Sequence, residues 1–423
     1  MAEQHGKALV PQIRFAGFTD PWEQRKLGEV ARRVTRKNEN RDSDLPLTIS
    51  AQYGLVDQRT FFNNQVASKD MSGYFLLRKG EFAYNKSTST DSPWGAIKRL
   101  EKYDMGCVST LYICFELLSG DPDFLVTYYE TDRWYKAVQL IAAEGARNHG
   151  LLNIAPDDFF ETQICIPKRI DEQRQIGAFF DRLDSLITLH QRKYDKLCVL
   201  KKSMLDKMFP KGGSLYPEIR FAGFTDPWEQ RKLGELFEES DERASDREIL
   251  SVSVANGIYP ASESDRETNP GASLANYKIV HFGDVVYNSM RMWQGAVDAS
   301  RYDGIVSPAY VVTRPNSEVY ARFFARLLRQ PMLLKQYQQV SQGNSKDTQV
   351  LKFDDFASIG ISMPASENEQ RQIGAFFDRL DSLITLHQRK YDGCANPLFL
   401  ERRISCRKPS HQNRCSATTT PSG

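Results

Sequence analysis

The amino-acid sequence predicts an α+β fold, in which two α/β domains in a pseudo-twofold arrangement are joined by a long antiparallel helical coiled coil. Three observations support this prediction: two pairs of identical repeated blocks, short apolar runs between turn residues, and one long apolar stripe at helical spacing. The chain of 423 residues is also too long for one ordinary core.

The repeats organise the chain. IRFAGFTDPWEQRKLGE, the opening block, occurs at 13–29 and 219–235. EQRQIGAFFDRLDSLITLHQRKYD, the closing block, occurs at 172–195 and 369–392. An ordinary duplication would diverge evenly, whereas here the blocks are identical and the regions between them differ widely. We therefore interpret the blocks as serving one shared role and the intervening regions as serving two different ones.

The blocks also set the predicted domain boundaries. These are a first variable domain at 11–168, a central helical spacer at 169–210, a second variable domain at 217–365, a C-terminal spacer helix at 366–392, and a tail at 393–423. Identity with the first copy stops at Asp392, and the tail then contains three cysteines. We interpret the second helix as truncated and the tail as frame-changed, a natural disordered tail being the alternative.

The closing block has an apolar stripe with helical period. In its first copy the stripe continues to Met208, so residues 172–209 predict a helix of about 57 Å. Such length favours a coiled coil between the two copies, the alternative being that each stripe packs on its own domain. The candidate packing residues are Ile176, Phe179, Phe180, Leu183, Leu186, Ile187, Ile373, Phe376, Phe377, Leu380, Leu383 and Ile384.

The regions between the blocks have the pattern of mixed α/β structure. YICFEL at 112–117 and AYVVTRP at 309–315 predict strands between turn residues. Residues 122–142 and 319–340 predict helices.

Composition and motifs argue against several classes of protein. No apolar run approaches the ~20 residues of a membrane span, and the N-terminus lacks a secretory apolar core, so a cytoplasmic location is expected. Seven cysteines without close pairing and six scattered histidines indicate neither a disulfide framework nor a metal site.

No catalytic motif emerges from the sequence. There is no GxxxxGK[ST] loop, no Asp or Glu is followed two residues later by Lys, and Asn396-Pro397-Leu398 does not match the Asn-Pro-Pro-aromatic signature of amino-methyltransferases. Asp157 and Asp158 could be catalytic carboxylates in principle, but adjacent carboxylates that open a helix are more often N-terminal caps. We therefore expect a non-catalytic chain with no metal or cofactor of its own.

Polar loops at matching places in both halves indicate binding. The loops at 84–99 and 144–150 have counterparts at 287–301 and 342–348. Lys and Arg can neutralise phosphates, and Arg and Asn can read base edges, although such loops can also be ordinary polar surface. The candidate DNA-binding residues are Lys86, Lys98, Arg99, Arg147, Asn148, Asn288, Arg291, Arg301, Asn344 and Lys346.

This layout resembles the specificity subunit of type I restriction-modification enzymes. The resemblance rests on FTDPWEQRKLGE, on the GEFAYNKS stretch through CVSTLYICFE, on IPKRIDEQRQIGAFFDRLD and on the duplication, and it covers nearly all of residues 11–392.

The resemblance implies a function and partners. Each variable domain would be a target recognition domain that reads one half of a split sequence in double-stranded DNA. The helices would set the gap and dock two methyltransferase subunits, which restriction and translocase subunits would join. S-adenosylmethionine, ATP and Mg would belong to these partners. The alternatives are a coiled-coil scaffold that binds proteins only, an enzyme of unrecognised chemistry, or an inactive truncated specificity subunit.

Overall fold

The computed structural model describes residues 10–11, 13–50, 53–62, 67–89, 92–142, 150–264, 274–343 and 349–395. These residues form two compact units. The first contains the residues up to His190 and those from Lys390, and the second contains Gln191–Arg389.

The first half of the chain contains short strands followed by helices. Its strands are β1 (Glu23–Lys26), β2 (Ala31–Arg33), β3 (Leu47–Ser50), β4 (Gly54–Asp57), β5 (Phe75–Arg78), β6 (Phe82–Asn85), β7 (Ala96–Arg99), β8 (Met105–Val108), β9 (Ile113–Leu117) and β10 (Gln163–Ile166). Its helices are α1 (Leu27–Val30), α2 (Gln58–Phe62), α3 (Pro122–Tyr129), α4 (Tyr135–Ile141), α5 (Pro156–Phe160) and the long α6 (Ile170–Lys207).

The second half follows the same order. Its strands are β11 (Glu229–Lys232), β12 (Phe237–Ser240), β13 (Leu250–Ser253), β14 (Gly257–Pro260), β15 (Lys278–Val280), β16 (Val285–Asn288), β17 (Val297–Ala299), β18 (Gly304–Val306), β19 (Tyr310–Pro315) and β20 (Gly360–Met363). Its helices are α7 (Ala321–Leu327), α8 (Pro331–Val340), α9 (Phe353–Ala357) and α10 (Glu367–Ala395), with 3₁₀ turns at Leu233–Glu235, Ala261–Glu263 and Met292–Gln294.

The strands of the two halves pair in the same way. A four-stranded antiparallel sheet has the order β2-β9-β6-β7 in the first half and β12-β19-β16-β17 in the second. The two-stranded sheets β1-β10, β3-β4 and β5-β8 correspond to β11-β20, β13-β14 and β15-β18. The variable regions therefore share one topology despite their different sequences, and the strands predicted at 112–117 and 309–315 are confirmed as β9 and β19.

The central strands β6 and β16 anchor the cores. Tyr84 and Tyr287 occupy corresponding positions on them and are both fully buried. Tyr84 stacks against Phe159 of α5 at 5.0 Å between ring centroids, and Tyr287 lies 5.1 Å from Phe356 of α9. These aromatic contacts fix each sheet against the short helix that precedes the closing block.

The helical candidates at 122–142 and 319–340 are confirmed, each as two helices. The first divides into α3 and α4, and the buried Trp134 at the break donates its indole N–H to the Tyr129 carbonyl at 2.9 Å. The second divides into α7 and α8. Pro331 is the first residue of α8, where its missing N–H costs no hydrogen bond.

The closing blocks form the long helices α6 and α10. Their bounds are close to those predicted, since each begins two residues before its closing block. Gly177 and Gly374 let the helices approach α3 and α7 closely, because a Cβ at Gly177 would stand 2.7 Å from the Phe124 nitrogen, and one at Gly374 2.8 Å from the Tyr320 ring. Each closing block thus packs against the helix that follows its own sheet.

Burial of the candidate packing residues differs between the two copies. Ile373, Phe377 and Leu380 are buried, whereas Phe376, Leu383 and Ile384 are partly exposed. In the first copy none of the six is fully buried: Ile176, Phe180, Leu183 and Ile187 are partly exposed, and Phe179 and Leu186 are exposed.

The second unit contains an antiparallel contact between the C-terminal part of α6 and the N-terminal part of α10. The Lys201 ammonium lies 2.5 Å from the Asp381 carboxylate. Eight residues further along the chain, the ring of Phe209 stacks on that of Phe377, with 6.2 Å between ring centroids. Of Lys201 and Phe209, the later residue contacts the earlier of the two α10 residues, so the two helices run in opposite directions there. Within the described ranges, no helix is long and apolar enough to span a bilayer.

Candidate nucleic-acid interface

The central strand of each half ends in an asparagine that shapes the loop after it. The Asn85 side-chain oxygen accepts a hydrogen bond from the Ser87 backbone N–H at 3.0 Å. The Asn288 oxygen accepts one from the Met290 N–H, also at 3.0 Å. Such a contact two residues ahead mimics a backbone turn. Both loops therefore leave the sheet with the same geometry although their sequences differ.

The second polar loop of each half is tied to the first. The Leu152 N–H donates to the Lys86 carbonyl at 3.0 Å, and the Leu351 N–H donates to the Ser289 carbonyl at 2.9 Å. Lys86 and Ser289 each directly follow the turn-forming asparagine of their strand. In each half, the second polar loop therefore ends beside the backbone position at which the first one begins.

Four candidate residues belong to these second loops. Arg147, Asn148, Asn344 and Lys346 lie outside the described residues.

A glycine closes the first loop in each half. Gly95 and Gly295 have φ values of +80° and +92°, in the left-handed region that favours glycine. A side chain at Gly95 would also overlap the Asn85 carbonyl, and the Tyr84 hydroxyl donates to the Trp94 carbonyl at 2.7 Å. The loop is thereby held at both ends, which leaves its middle residues as the variable part.

Lys98 and Arg99 are engaged in ion pairs. Lys98 Nζ lies 3.0 Å from Glu130, and Arg99 contacts Glu101 at 2.7 Å and Asp123 at 2.6 Å. Their side chains are only 15% and 16% exposed. A phosphate would have to compete with these carboxylates for either cation.

Strand register places Arg99 away from the loop. Ala96 pairs with Asn85 at the loop end of the sheet, whereas Arg99 pairs with Phe82 at the other end. Three residues of extended chain span about 10 Å. Lys86 is closer to the loop, but its ammonium donates to the Ile154 carbonyl at 3.2 Å and burial lowers its pKa.

In the second half, Arg291 occupies the middle of the loop between Asn288 and Gly295. It is exposed, and within the described part of the chain its guanidinium has no ion pair. Arg301 lies beyond the opposite end of β17 and contacts Asp378 of α10 at 3.3 Å. The structure thus brings Asn288 and Arg291 together and separates Arg301 from them.

The sequence predictions did not include a buried cluster that joins the two blocks of each half. In the first half, Arg14 of the opening block donates two hydrogen bonds of 2.7 Å to Glu172, the first residue of the closing block. Trp22 donates its indole N–H to the same carboxylate at 3.1 Å. The Glu172 side chain is 1% exposed, and its contact raises the pKa of Arg14.

The second half repeats this cluster. Arg220 donates to Glu369 at 2.7 and 2.8 Å, and Trp228 donates to it at 3.3 Å. The identity of the blocks was the one signal that could have indicated it, because residues that contact each other in both halves must be retained together.

The next residue of each closing block is also buried and hydrogen-bonded. Gln173 accepts from the Asp121 N–H and donates to the Pro167 carbonyl, both at 2.8 Å. Gln370 accepts from the Tyr320 N–H at 2.9 Å. These amides fix the start of each long helix against its own variable domain. Within the described ranges, no group of three or more His, Cys, Asp or Glu could hold a metal ion.

The fold defines a protein whose two halves share one strand topology and carry polar loops of different sequence at matching places. Residues 225–393 match the family model described as the type I restriction modification DNA specificity domain. This match confirms the resemblance inferred from the sequence.

Solved structures of similar proteins also match the chain. The HsdS subunit from Thermoanaerobacter tengcongensis is 17% identical, with 90% of this chain and 96% of that chain covered and a TM-score of 0.41. The type I restriction-modification S subunit from M. genitalium is 15% identical, with 94% and 98% covered and a TM-score of 0.47. A chain from a structure of type I R-M complex assembly and conformational transition is 15% identical, with 90% and 95% covered and a TM-score of 0.39. A search of curated protein sequences gave no match.

Proposed function

We propose that this chain is the DNA sequence-specificity subunit of a type I restriction-modification complex and that each half reads one half of a bipartite target in double-stranded DNA. One observation carries this proposal. Two units of identical strand topology anchor their polar loops through the same contacts, at Asn85 and Asn288, yet fill those loops with different residues.

The chemistry of the loops suits base and phosphate contacts. Arginine forms paired hydrogen bonds with guanine, asparagine does so with adenine, and lysine neutralises phosphate. Arg291 and Asn288 are the strongest candidates in the second half, because Arg291 is exposed and both belong to the anchored loop. Lys86 is the corresponding candidate in the first half.

We further propose that α6 and α10 form an antiparallel coiled-coil spacer that sets the gap between the two half-sites. The antiparallel contact through Lys201 and Asp381 in the second unit supports this arrangement. The identical closing blocks would present two equivalent docking surfaces to two methyltransferase subunits, and restriction and translocase subunits would join that core. S-adenosylmethionine, ATP and Mg would be bound by these partners.

A coiled-coil scaffold that binds proteins without reading DNA is the second candidate. The ion pairs of Lys98, Arg99 and Arg301 favour it, because cations held by carboxylates are less available to phosphates. A specificity subunit inactivated by its altered C-terminal region is the third.

Methylome sequencing of the host with and without this gene tests the proposal. A specificity subunit predicts one bipartite methylated sequence that disappears when the gene is deleted, and the isolated chain should show no methyltransferase, nuclease or ATPase activity. An unchanged methylome in a host that contains the partner subunits would favour the scaffold or the inactive subunit. Binding of the purified complex to DNA that contains a single bipartite site would then separate these two.

A further inference from the structure

The loop that follows β16 holds two neighbouring side chains outside the core of the second half. Met290 is 45% exposed and Arg291 is also exposed, whereas the next residue, Met292, is fully buried. A long apolar side chain therefore lies in solvent beside a cation, in the same loop that the proposed function assigns to DNA.

The backbone of this loop is held by its own hydrogen bonds. The Met290 N–H donates to the Asn288 side-chain oxygen at 3.0 Å, and the Met290 carbonyl accepts from the Trp293 indole N–H at 3.2 Å. The Arg291 carbonyl accepts from the Gln294 N–H at 3.0 Å. Because these bonds fix the backbone, the loop presents Met290 and Arg291 with little ordering left to occur on binding.

The first half places a different side chain at the same position. The Ser87 N–H donates to the Asn85 side chain, which is the contact that Met290 makes in the second half. Ser87 is exposed as well. Two positions with the same backbone anchor therefore present a short hydroxyl group in one half and a long apolar chain in the other. This is a position at which the two halves can differ in what they bind.

The chemistry of the side chain narrows the group that Met290 can recognise. A thioether chain gains free energy from apolar contact and cannot form the paired hydrogen bonds that distinguish guanine or adenine. In the major groove of DNA, the apolar group that distinguishes one base from the others is the 5-methyl group of thymine. The neighbouring Arg291 supplies a cation for a phosphate or a guanine close to that thymine.

We propose that Met290 is a specificity-determining residue that contacts the 5-methyl group of a thymine in the second half-site. This assignment rests on the proposed function of the chain as a DNA specificity subunit, and it links one base of the target to one side chain. Ser87 ends in a hydroxyl group and offers no equivalent apolar contact, so the two half-sites are read differently at this position.

Binding of the reconstituted complex to DNA that contains the target defined by methylome sequencing tests this proposal. Each thymine of the second half-site is replaced in turn by uracil, which removes only the methyl group. One replacement should weaken specific binding about fourfold, the effect of one buried methyl group. Met290→Ala should weaken binding to the original DNA by a similar factor and abolish the difference between thymine and uracil, whereas Met290→Leu should retain it.

Two comparisons control this measurement. Uracil replacements in the first half-site should have the same effect on the wild type and on Met290→Ala, because Met290 belongs to the second half. Phe282→Ala should keep the uracil effect in the second half-site. It removes an apolar side chain that is 72% exposed and precedes the opposite end of β16.

Three results would overturn the proposal. If no uracil replacement in the second half-site changes the affinity, or if one changes it equally in the wild type and in Met290→Ala, Met290 does not contact a thymine methyl group. An equal loss of affinity for every sequence on Met290→Ala would identify a wedge between bases or a contact with the DNA backbone instead. Absence of sequence-specific binding would refute the proposed function as well, whereas the first two results leave that function intact.

Discussion

Arg14 and Glu172 are separated by 158 positions in sequence, yet two hydrogen bonds of 2.7 Å join them. The pair connects the opening block of the first half to its closing block, and Arg220 and Glu369 make the same connection in the second half. The blocks are therefore partners of each other as well as repeats, and this mutual contact gives a physical reason for keeping both copies of each block identical.

Glu172→Ala should destabilise the first unit, because it removes the acceptor of both Arg14 and Trp22 and leaves a largely buried guanidinium without its carboxylate. Differential scanning calorimetry should show a lower Tm. Glu161→Ala is the matched control, since Glu161 is 63% exposed in its pair with Lys26 and such surface pairs contribute little. Equal shifts in Tm for the two variants would contradict the structural role assigned to Glu172.

Phe209→Ala should destabilise the second unit by about 3–5 kcal/mol, because it empties a site enclosed by Trp228, Phe323 and Phe377. Urea unfolding measures this change. Phe282→Ala, at a residue 72% exposed, should have little effect and controls for the loss of a surface ring. A small effect at Phe209 would mean that the end of α6 does not seal the second unit.

Asp378→Asn should reduce stability at neutral pH. Burial opposes ionisation of Asp378, but hydrogen bonds and charge from Arg322 and Arg326 outweigh it and lower its pKa below the ordinary 3.8. A lowered pKa stabilises the fold above pH 3.8, and this contribution is lost as the pH falls through the folded-state value. Wild type and variant should therefore differ at pH 7 and converge in acid.

The identical position in the first half provides the control for this variant. Asp181 is exposed, and within the described part of the first unit it has no ion pair. Asp181→Asn should lower stability at pH 7 much less than Asp378→Asn does, and an equal loss would show that the arginines are not the cause.

Arg291→Ala should weaken DNA binding by the reconstituted complex. If Arg291 reads a base, the variant should lose about 1–3 kcal/mol and relax specificity at one position. If it contacts a phosphate, affinity should fall for all sequences and the salt slope should flatten by about one unit. Fluorescence anisotropy at several salt concentrations separates these outcomes.

Arg301→Ala and Arg99→Ala are the comparisons for Arg291. Both arginines contact carboxylates away from the loop, so their replacement should change DNA affinity less. Larger losses at these two positions than at Arg291 would show that the opposite end of the sheet faces DNA.

Local patterns in the sequence predicted the elements that depend on local physics. The apolar period of the closing block predicted both long helices to within a few residues, and the repeats predicted that the two halves share one fold. Long-range contacts were not predictable in this way. Nothing near Glu172 in sequence indicates that Arg14 and Trp22 will enclose it, and nothing near Lys98 indicates its pairing with Glu130.

The candidate binding residues also divide into features that local sequence predicts and features that long-range contacts determine. The Asn85 and Asn288 turns follow from residue type and position, but the predicted loops at 84–99 and 287–301 also include the strands β7 and β17. The orientation of Arg99 and Arg301 depends on strand register and on contacts with helices far along the chain, and residue type alone does not specify either. Trp22 and Trp228 have identical local sequences but different burial, which only tertiary packing can produce.

The central claim is that each half reads its own half-site. Its most direct test is to replace residues 237–365 with the second variable region of another family member and to sequence the host methylome. The account predicts that one half of the methylated sequence changes while the other half and the spacing stay the same. A change in both halves, or in neither, would contradict independent readout by the two units.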